Sequence, residues 1–146
     1  MDTSIFISKN FRPKEGKIAC ESPSNIALIK YWGKYGLQFP INPSLSFTLS
    51  NCKTETSIEY SPRLRGQSKF DFFYDGKTKK SFESKIEEFF ERISLFCPYL
   101  ENLFLKINSK NTFPHSSGIA SSASAFSSLA FCIVSIEKRF NEKMTE

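Results

Sequence analysis

Apolar and polar positions alternate in the first half of this chain and change to a helical period in the second half. Short apolar runs with a two-residue period predict five strands in the first half. These strands are 17–21, 25–31, 44–49, 54–60 and 70–74. A bend is predicted at 22–24, a polar break at 51–53 and a tight turn at 75–76. The first half is therefore predicted to be mostly sheet.

The period changes after residue 80, where apolar side chains recur three and four positions apart. A helix is predicted at 81–96, with Ser81 as its N-cap and Pro98 beyond its end. Its apolar face consists of Phe82, Ile86, Phe89, Phe90 and Ile93. A strand at 103–107 and a loop at 108–117 lead into a final helix. The apolar stripe predicted for that helix is Ser122, Phe126, Leu129, Ile133, Ile136 and Phe140.

This order of elements predicts an α+β fold. Residues 1–16 are expected to form an irregular arm or a short edge strand, and 17–146 a single domain. With 146 residues, 40% of them hydrophobic and 16 of them Phe, the chain has enough apolar material for a packed core. No apolar run is long enough for a signal peptide or a membrane span, so a cytoplasmic protein that does not insert into membranes is expected.

The net charge favours anionic ligands without choosing among them, and the cysteines argue against one kind of metal site. A net charge of +5 suits polyanionic partners, which include nucleotides, phosphorylated metabolites and nucleic acid. The four cysteines are far apart, without a CxxC pair, and His115 is the one histidine, so a zinc site is not expected.

The stretch 114–125, PHSSGIASSASA, carries the first candidate chemistry. It places a Pro, a Gly and five Ser directly before and at the start of the final helix. A helix N-terminus presents backbone N–H groups without partners and a partial positive charge, so small residues there let a phosphate approach closely. The same composition also fits a capped helix start that binds nothing, because Ser is a preferred N-cap.

The second candidate is the segment 22–34, SPSNIALIKYWGK, where a strand ends in two lysines, two aromatic residues and a glycine. Lysines neutralise phosphate or carboxylate, aromatic rings offer flat faces, and glycine permits a sharp change of the backbone. The alternative is a strand end with solvated lysines and half-buried rings.

The two segments together resemble the diphosphomevalonate decarboxylases of the GHMP kinase superfamily. SNIALIKYWGK resembles the N-terminal signature of that family, PINPSLSFTL its following strand, and FPHSSGIASSASA its ATP-phosphate loop. The resemblance covers residues 17–140. It implies ATP-dependent conversion of mevalonate 5-diphosphate to isopentenyl diphosphate, in which C3 is phosphorylated and the departing phosphate drives loss of the carboxylate.

The resemblance also implies roles for individual residues. Substrate contacts are implied for Tyr31, Trp32, Gly33, Lys34, Lys30 and, after the turn at 75–76, Lys77. Contacts with the ATP phosphates are implied for Ser116, Ser117, Gly118, Ile119, Ala120, Ser121, Ser122 and Ala123. Ser121 and Ser122 are also the residues implied to reach Mg²⁺.

No catalytic residue is implied within 1–146. In the family, a Gly-Ser-Gly-Ser-x-Arg segment and an aspartate near the C3 hydroxyl follow the part that this chain resembles, so both are expected beyond Glu146. The expectation is therefore an N-terminal portion that does not complete catalysis by itself. The implied fold is the ribosomal protein S5 domain 2-like N-terminal domain of the superfamily, a mostly antiparallel sheet with helices on one side and a left-handed crossover.

Three other interpretations stay open at this point. A GHMP kinase that stops at phosphorylation, such as a mevalonate kinase or a mevalonate 3-kinase-like protein, would use the same phosphate loop. A basic nucleic-acid-binding domain is compatible with the charge, although no dense Lys/Arg run is present. An inactive portion with a partial nucleotide site is the third. A homodimer is a further expectation for the full-length protein.

Overall fold

The computed structural model describes residues 4, 7–12, 14–36, 39–114 and 118–140. Seven strands, two α-helices and one 3₁₀ helix follow one another in these parts of the chain. In chain order they are β1 (Gly16–Ile29), β2 (Lys34–Tyr35), β3 (Phe39–Pro40), β4 (Leu45–Pro62), β5 (Phe70–Tyr74), β6 (Lys77–Thr78), α1 (Lys80–Ile93), the 3₁₀ helix (Pro98–Asn102), β7 (Leu103–Asn111) and α2 (Ser121–Phe140). Within these ranges, neither α-helix is long and apolar enough to cross a bilayer.

Five of the strands form one mixed sheet, in the order β1-β4-β7-β5-β6. Every neighbouring pair is antiparallel except β5 and β7, which run parallel and are joined through α1. Strands β2 and β3 form a separate hairpin after β1. The predicted α+β class is confirmed, and the hand of the crossover stays a prediction.

Both helices cover the same face of the sheet. Side chains at alternate positions of β4 and β7 are buried beneath them, among them Ile58 and Leu105. Phe82 of α1 packs edge-on against Phe72 of β5, and Phe89 of α1 lies 5.5 Å from Phe126 of α2 between ring centroids. The opposite face carries charged side chains paired across strands, such as Lys17 with Glu59 at 3.0 Å and Lys110 with Glu55 at 3.0 Å.

Strand β4 changes phase where the sequence predicted a polar break. Lys53 pairs with Pro23, but the next β1 residue, Ser24, pairs with Leu49, so residues 50–52 bulge out of the ladder. Because three is an odd number, the odd positions before the bulge and the even positions after it share one face. One strand of 18 residues therefore replaces the two that were predicted. The predicted bend at 22–24 likewise lies inside a continuous β1.

Several predicted boundaries were wrong. Helix α1 begins at Lys80 with Lys79 as its N-cap, so Ser81 lies in the first turn and does not cap it. The helix ends at Ile93 because the Ser94 hydroxyl bonds the carbonyl of Glu91 and tightens the last turn. Strand β7 continues to Asn111, and residues 108–111 are therefore strand where a loop was predicted. The polar side chains of Ser109 and Asn111 bond the hydroxyls of Thr56 and Thr54, and Lys110 forms an ion pair with Glu55.

The buried stripe of α2 differs from the predicted one. Phe140 and Ser122 are exposed, whereas the small residues Ser124, Ser128 and Cys132 are buried against the sheet. Prediction by hydrophobicity missed them because two of the three are polar. Phe126, Leu129, Ile133 and Ile136 are buried or partly buried as predicted.

The segment before β1 contacts the core although its described residues form neither a strand nor an α-helix. Phe11 stacks on the buried Tyr99 with ring centroids 4.4 Å apart, and the Ser8 amide donates to the carbonyl of Phe96 at 2.8 Å. The division into an arm at 1–16 and a domain from residue 17 stays a prediction.

Candidate functional site

The described end of the loop between β7 and α2 contains two residues with positive φ. Gly118 has a φ of 79°, and among the described residues no atom beyond its chain neighbours lies within 4 Å of the position a Cβ would take. Ala120 also has a positive φ, 53°, and its carbonyl accepts from the amides of Ala123 and Ser124 to begin the helix. Ser116 and Ser117, with their predicted phosphate contacts, and His115 lie outside the described residues.

The first turn of α2 is suited to bind an anion. The predicted residues Ser121, Ser122 and Ala123 occupy it, and the first N–H groups of an α-helix have no partner within the helix. No acidic residue lies in this turn, while Lys138 and Arg139 occupy the last one. A negative group at the N-terminal end is therefore favoured by the helix dipole and meets no like charge in the turn.

A buried hydrogen bond joins the loop to the second predicted segment. The hydroxyl of Ser24 on β1 donates to the carbonyl of Ile119, and Ser24 is 1% exposed. Strand β1 ends five residues later at Ile29, and the Tyr31–Lys34 segment follows. The structure thus joins the phosphate loop to the start of the segment 22–34, and contact of that loop with Tyr31–Lys34 stays a prediction.

The aromatic and basic segment after β1 is held by Asn42, which sequence reasoning missed. The Asn42 side chain accepts from the amide of Trp32 at 2.7 Å and donates to the carbonyl of Lys30 at 3.3 Å. The carbonyl of Gly33 also accepts from the amide of Ile41 at 3.0 Å. The signal in the sequence was the turn-forming Ile-Asn-Pro-Ser run, because Asn bonds nearby backbone groups in turns.

The side chains of this segment face solvent. Trp32 is 94% exposed, and the ammonium group of Lys34 lies 5.5 Å from the ring centroid of Tyr31. Lys30 is exposed as well. Two cations and two rings thus lie at the surface of this segment, and the backbone beneath them is fixed by Asn42.

Lys77 lies elsewhere on the sheet. It belongs to β6, opposite Tyr74, at the edge of the sheet far from β1. Four strand spacings separate these edges, about 19 Å. The structure therefore does not bring Lys77 next to the β1 strand, and its substrate contact stays a prediction.

A cavity of about 180 Å³ lies between α1, the start of α2 and the sheet. Phe72, Tyr74, Phe82 and Phe126 supply aromatic walls. Ser121 and Ser122 also line it, so the cavity opens at the same helix turn as the anion site. Sequence reasoning placed Phe82 and Phe126 on the apolar faces of their helices and Phe72 and Tyr74 in a strand, and assigned none of them to a site.

No group of three or more His, Cys, Asp or Glu side chains is assembled for a metal ion within the ranges described above. The polar groups at the start of α2 are hydroxyls and backbone amides. This donor set fits a phosphate group, and a hydroxyl can complete the shell of a Mg²⁺ ion that phosphate oxygens already hold.

A family model described as the diphosphomevalonate decarboxylase-like N-terminal domain matches residues 22–145. The chain belongs to this family. Its relatives include the diphosphomevalonate decarboxylase of Aspergillus fumigatus, which is 33% identical over 128 residues, or 79% of this chain and 32% of the relative. The human diphosphomevalonate decarboxylase is 30% identical over 135 residues, which cover 82% of this chain and 33% of the human protein.

Solved structures of the family share the fold. The mevalonate diphosphate decarboxylase of Staphylococcus aureus matches with a TM-score of 0.71 and 31% identity, over 86% of this chain and 37% of that one. A chain named MDDEF, in complex with MVAPP, AMPPCP and magnesium, matches with a TM-score of 0.67 and 30% identity, over 86% of this chain and 38% of that one. The expected N-terminal GHMP-type fold is confirmed.

The predicted catalytic groups are not among the residues of this site. The chain spans about a third of the length of its curated relatives. Glu146, beyond which the Gly-Ser-Gly-Ser-x-Arg segment and the aspartate were expected, lies outside the described residues. The position of these groups beyond Glu146 therefore stays a prediction.

Proposed function

We propose that this chain provides the ATP-phosphate site and part of the substrate site for ATP-dependent decarboxylation of mevalonate 5-diphosphate to isopentenyl diphosphate, a cytoplasmic step of isoprenoid synthesis. The bond between Ser24 and Ile119 is the observation that carries the proposal, because it fixes the phosphate loop to the strand that leads into the Tyr31–Lys34 segment. Family membership supplies the reaction class.

In this proposal the start of α2 binds the phosphates of ATP. The backbone amides from Gly118 to Ser122 donate to phosphate oxygens, together with those of the preceding Ser116 and Ser117. Ala123 lies beside them in the same turn, with its amide bonded to the carbonyl of Ala120. The hydroxyls of Ser121 and Ser122 contact the terminal phosphate and the Mg²⁺ that accompanies it. Mg²⁺ neutralises developing charge on the transferred phosphoryl group when bound. The aromatic cavity beside this turn accepts the base of the nucleotide.

The substrate lies against the segment after β1. Lys34 and Lys30 neutralise the diphosphate or the carboxylate, Tyr31 and Trp32 cover the carbon skeleton, and Gly33 allows the backbone to approach. Lys77 lies at the opposite edge of the sheet. It contacts the diphosphate only if substrate binding moves it closer to the Tyr31–Lys34 segment.

The proposed reaction depends on how the site stabilises the charges that form on the leaving phosphate and on C3. Phosphorylation of the C3 hydroxyl turns a poor leaving group into a good one, and its departure leaves positive charge on C3 while the carboxylate collapses to carbon dioxide. Fixed donors at the phosphate loop stabilise the departing phosphate. The aspartate and the Gly-Ser-Gly-Ser-x-Arg segment that the family uses for the remaining steps have no match among residues 1–146.

Trp32 provides the test, since it is the one tryptophan of the chain and lies in the proposed substrate site. Mevalonate 5-diphosphate is expected to change the Trp32 fluorescence of the 146-residue chain, and mevalonate without the diphosphate to do so at least tenfold more weakly. AMPPCP with Mg²⁺ is expected to bind as well, and Gly118→Val to weaken it because valine is strained at a φ of 79°. The matched control is Gly76→Val, which lies at the β5–β6 turn with a similar φ of 72°.

Measurements of product release and of RNA binding distinguish the decarboxylase, kinase and nucleic-acid interpretations. The 146-residue chain is expected to release neither ADP nor carbon dioxide from these ligands. Release of ADP without carbon dioxide would instead support the kinase interpretation. Binding of RNA without binding of either ligand would support the nucleic-acid interpretation and refute the proposal.

A further inference from the structure

A basic recess lies at the end of the sheet away from the phosphate loop. It is a concave surface of about 720 Å³ between the segment before β1, the β4–β5 loop and the 3₁₀ helix. Its charged lining residues are Arg12, Lys14, Arg63, Arg65 and Glu101. Strand β7 starts beside it at Leu103 and ends at Asn111 before the phosphate loop. Eight strand steps separate these ends, about 27 Å.

The charges of the basic recess are unbalanced. Glu101, the one carboxylate in its described lining, already binds Arg63 at 3.4 Å and Lys69 at 2.6 Å. Among the residues that the structure describes, no carboxylate forms an ion pair with Arg12, Lys14 or Arg65. Several like charges held around one hollow repel one another unless an anion lies between them.

The pKa of Glu101 is lowered by the neighbouring positive charges of Lys69 and Arg63. The hydrogen bond from Lys69 is the largest cause, and the nearby charges of Lys69 and Arg63 act in the same direction against partial burial. Glu101 therefore stays ionised, yet it balances only part of the surrounding charge.

Two anchors hold the walls of the basic recess in place. The amide of Arg63 donates to the carbonyl of Asn102 at 2.9 Å, and the Asn102 side chain donates to Asn10 at 3.0 Å. The loop and the segment that carries Arg12 and Lys14 are thus fixed to the same residue. Gln67 closes the loop tip through two hydrogen bonds with the backbone of Leu64, which leaves Arg65 at the tip.

The residues that line the recess favour one kind of anion over others. No aromatic ring lines it, so the stacking surface that single-stranded nucleic acid uses is lacking in this described surface. Leu64 is the one large apolar residue in the same described lining, which is too little to insert into a membrane. Guanidinium groups spaced around a hollow fit several phosphates of one compact molecule, because each arginine can bind a phosphate with two hydrogen bonds.

We propose that the basic recess is a second anion site that binds a compact polyphosphate, a molecule with two or three linked phosphates. The site is separate from the proposed ATP-phosphate loop at the other end of β7. It does not depend on the decarboxylase proposal, because none of its residues belongs to the segments that carry that function.

The test is a titration of the 146-residue chain with sodium tripolyphosphate at 150 mM salt. The chemical shifts of the backbone amides are monitored by NMR at each addition. Saturable shifts are expected at Gly66, Gln67 and Asn102, in addition to any at Gly118–Ala123. The double variant Arg12→Ala, Arg65→Ala is expected to lose at least tenfold in affinity at the first set of amides only. Arg92→Ala, an exposed arginine on α1, is the matched control and is expected to bind like the parent chain.

Four outcomes would overturn this inference. One is a set of shifts confined to the phosphate loop, and another is unchanged affinity in the double variant. The third is tighter binding of an RNA oligonucleotide or of anionic vesicles than of tripolyphosphate to these amides. Sodium sulfate at equal ionic strength distinguishes binding of linked phosphates from general screening, since equal shifts with sulfate would also refute the inference.

Discussion

At the scale of single residues, small polar side chains connect the parts of the site. Ser24 bonds the phosphate loop, and Asn42 bonds the backbone of the aromatic segment. Both act on backbone groups, so their contribution lies in the position of neighbouring residues. Neither stands out by residue type, because Ser and Asn are common in loops and turns.

Ser24→Ala is expected to weaken both the fold and nucleotide binding. The substitution leaves the carbonyl of Ile119 without its buried donor, which costs about 1–3 kcal/mol of unfolding free energy. AMPPCP affinity is expected to fall because the loop is held less firmly. Urea unfolding and calorimetric titration measure the two effects. Ser46→Ala, on the exposed side of the neighbouring strand, is the control, and equal effects of the two variants would contradict the role of Ser24.

The thiol of Cys97 is expected to react slowly in the folded chain. Burial raises the pKa of Cys97 to about 11, and the charge of Glu137 acts in the same direction. Less thiolate is therefore present at pH 8 than in the unfolded chain, where a thiol pKa is about 8.5. Iodoacetamide labelling followed by peptide mass spectrometry is expected to be roughly tenfold slower before than after urea unfolding. The rate should keep rising with pH beyond 9, and a plateau near 9 would disprove the raised pKa.

At the scale of elements, α2 meets the sheet through hydroxyl groups. Ser124 bonds Thr54 at 2.7 Å and Ser128 bonds Thr56 at 2.6 Å, with all four side chains buried. Such short contacts between small side chains bring the helix close to β4. This close approach places the first turn of α2 beside the end of β7, where the phosphate loop must cross.

Ser128→Leu is expected to destabilise the fold strongly. Leucine adds three carbon atoms where the serine is fully buried against Thr56, and overpacking costs about 1–3 kcal/mol or more. Val134→Leu on the exposed side of α2 enlarges a side chain without this contact and serves as the control. Thermal unfolding measures both. Similar melting temperatures of the two variants would show that the helix has room to move away from the sheet.

These elements show how far the sequence could predict the structure. Strands β1, β4 and β5 and both helices were located because their apolar periods are regular. The buried side of α2 was misjudged because serine hydroxyls that bond other hydroxyls are buried without being apolar. The β2–β3 hairpin was missed because two-residue strands carry no period. The two chemical motifs were enough to identify the family, and the roles of their residues stay predictions. The aromatic cavity was missed, since the rings that its helices contribute share the spacing of a core.

At the scale of the whole molecule, apolar surface is concentrated near the proposed substrate site. Ile26, Ile29, Leu45 and Phe47 lie on one side of the β1–β4 ribbon beyond the start of α2, and each is at least 40% exposed. An exposed apolar surface of this kind marks an interaction site or a ligand groove in soluble proteins. The molecule therefore has an apolar end near the aromatic segment and a basic end at the recess.

Phe47→Asn is expected to reduce dye binding to the folded chain. The fluorescent dye ANS binds exposed apolar surface, and Phe47 is 61% exposed at the centre of the ribbon. The variant is expected to lower ANS fluorescence at least twofold without changing the melting temperature by more than a few degrees. The control is Leu95→Asn, an isolated exposed leucine after α1. An equal reduction by both variants would show that the ribbon is not the main dye site.

The bulge at 50–52 is the place where β4 can change length over evolution. Leu49 lies opposite Ser24 and Lys53 opposite Pro23, so the three residues between them have no partner in the ladder. Removal of all three would make Leu49 and Lys53 adjacent, as Ser24 and Pro23 are, and alternation would then keep Leu45 and Phe47 on their present side. Natural length variants of this strand are thus expected to differ within 50–52, where the pairing on either side is not shifted.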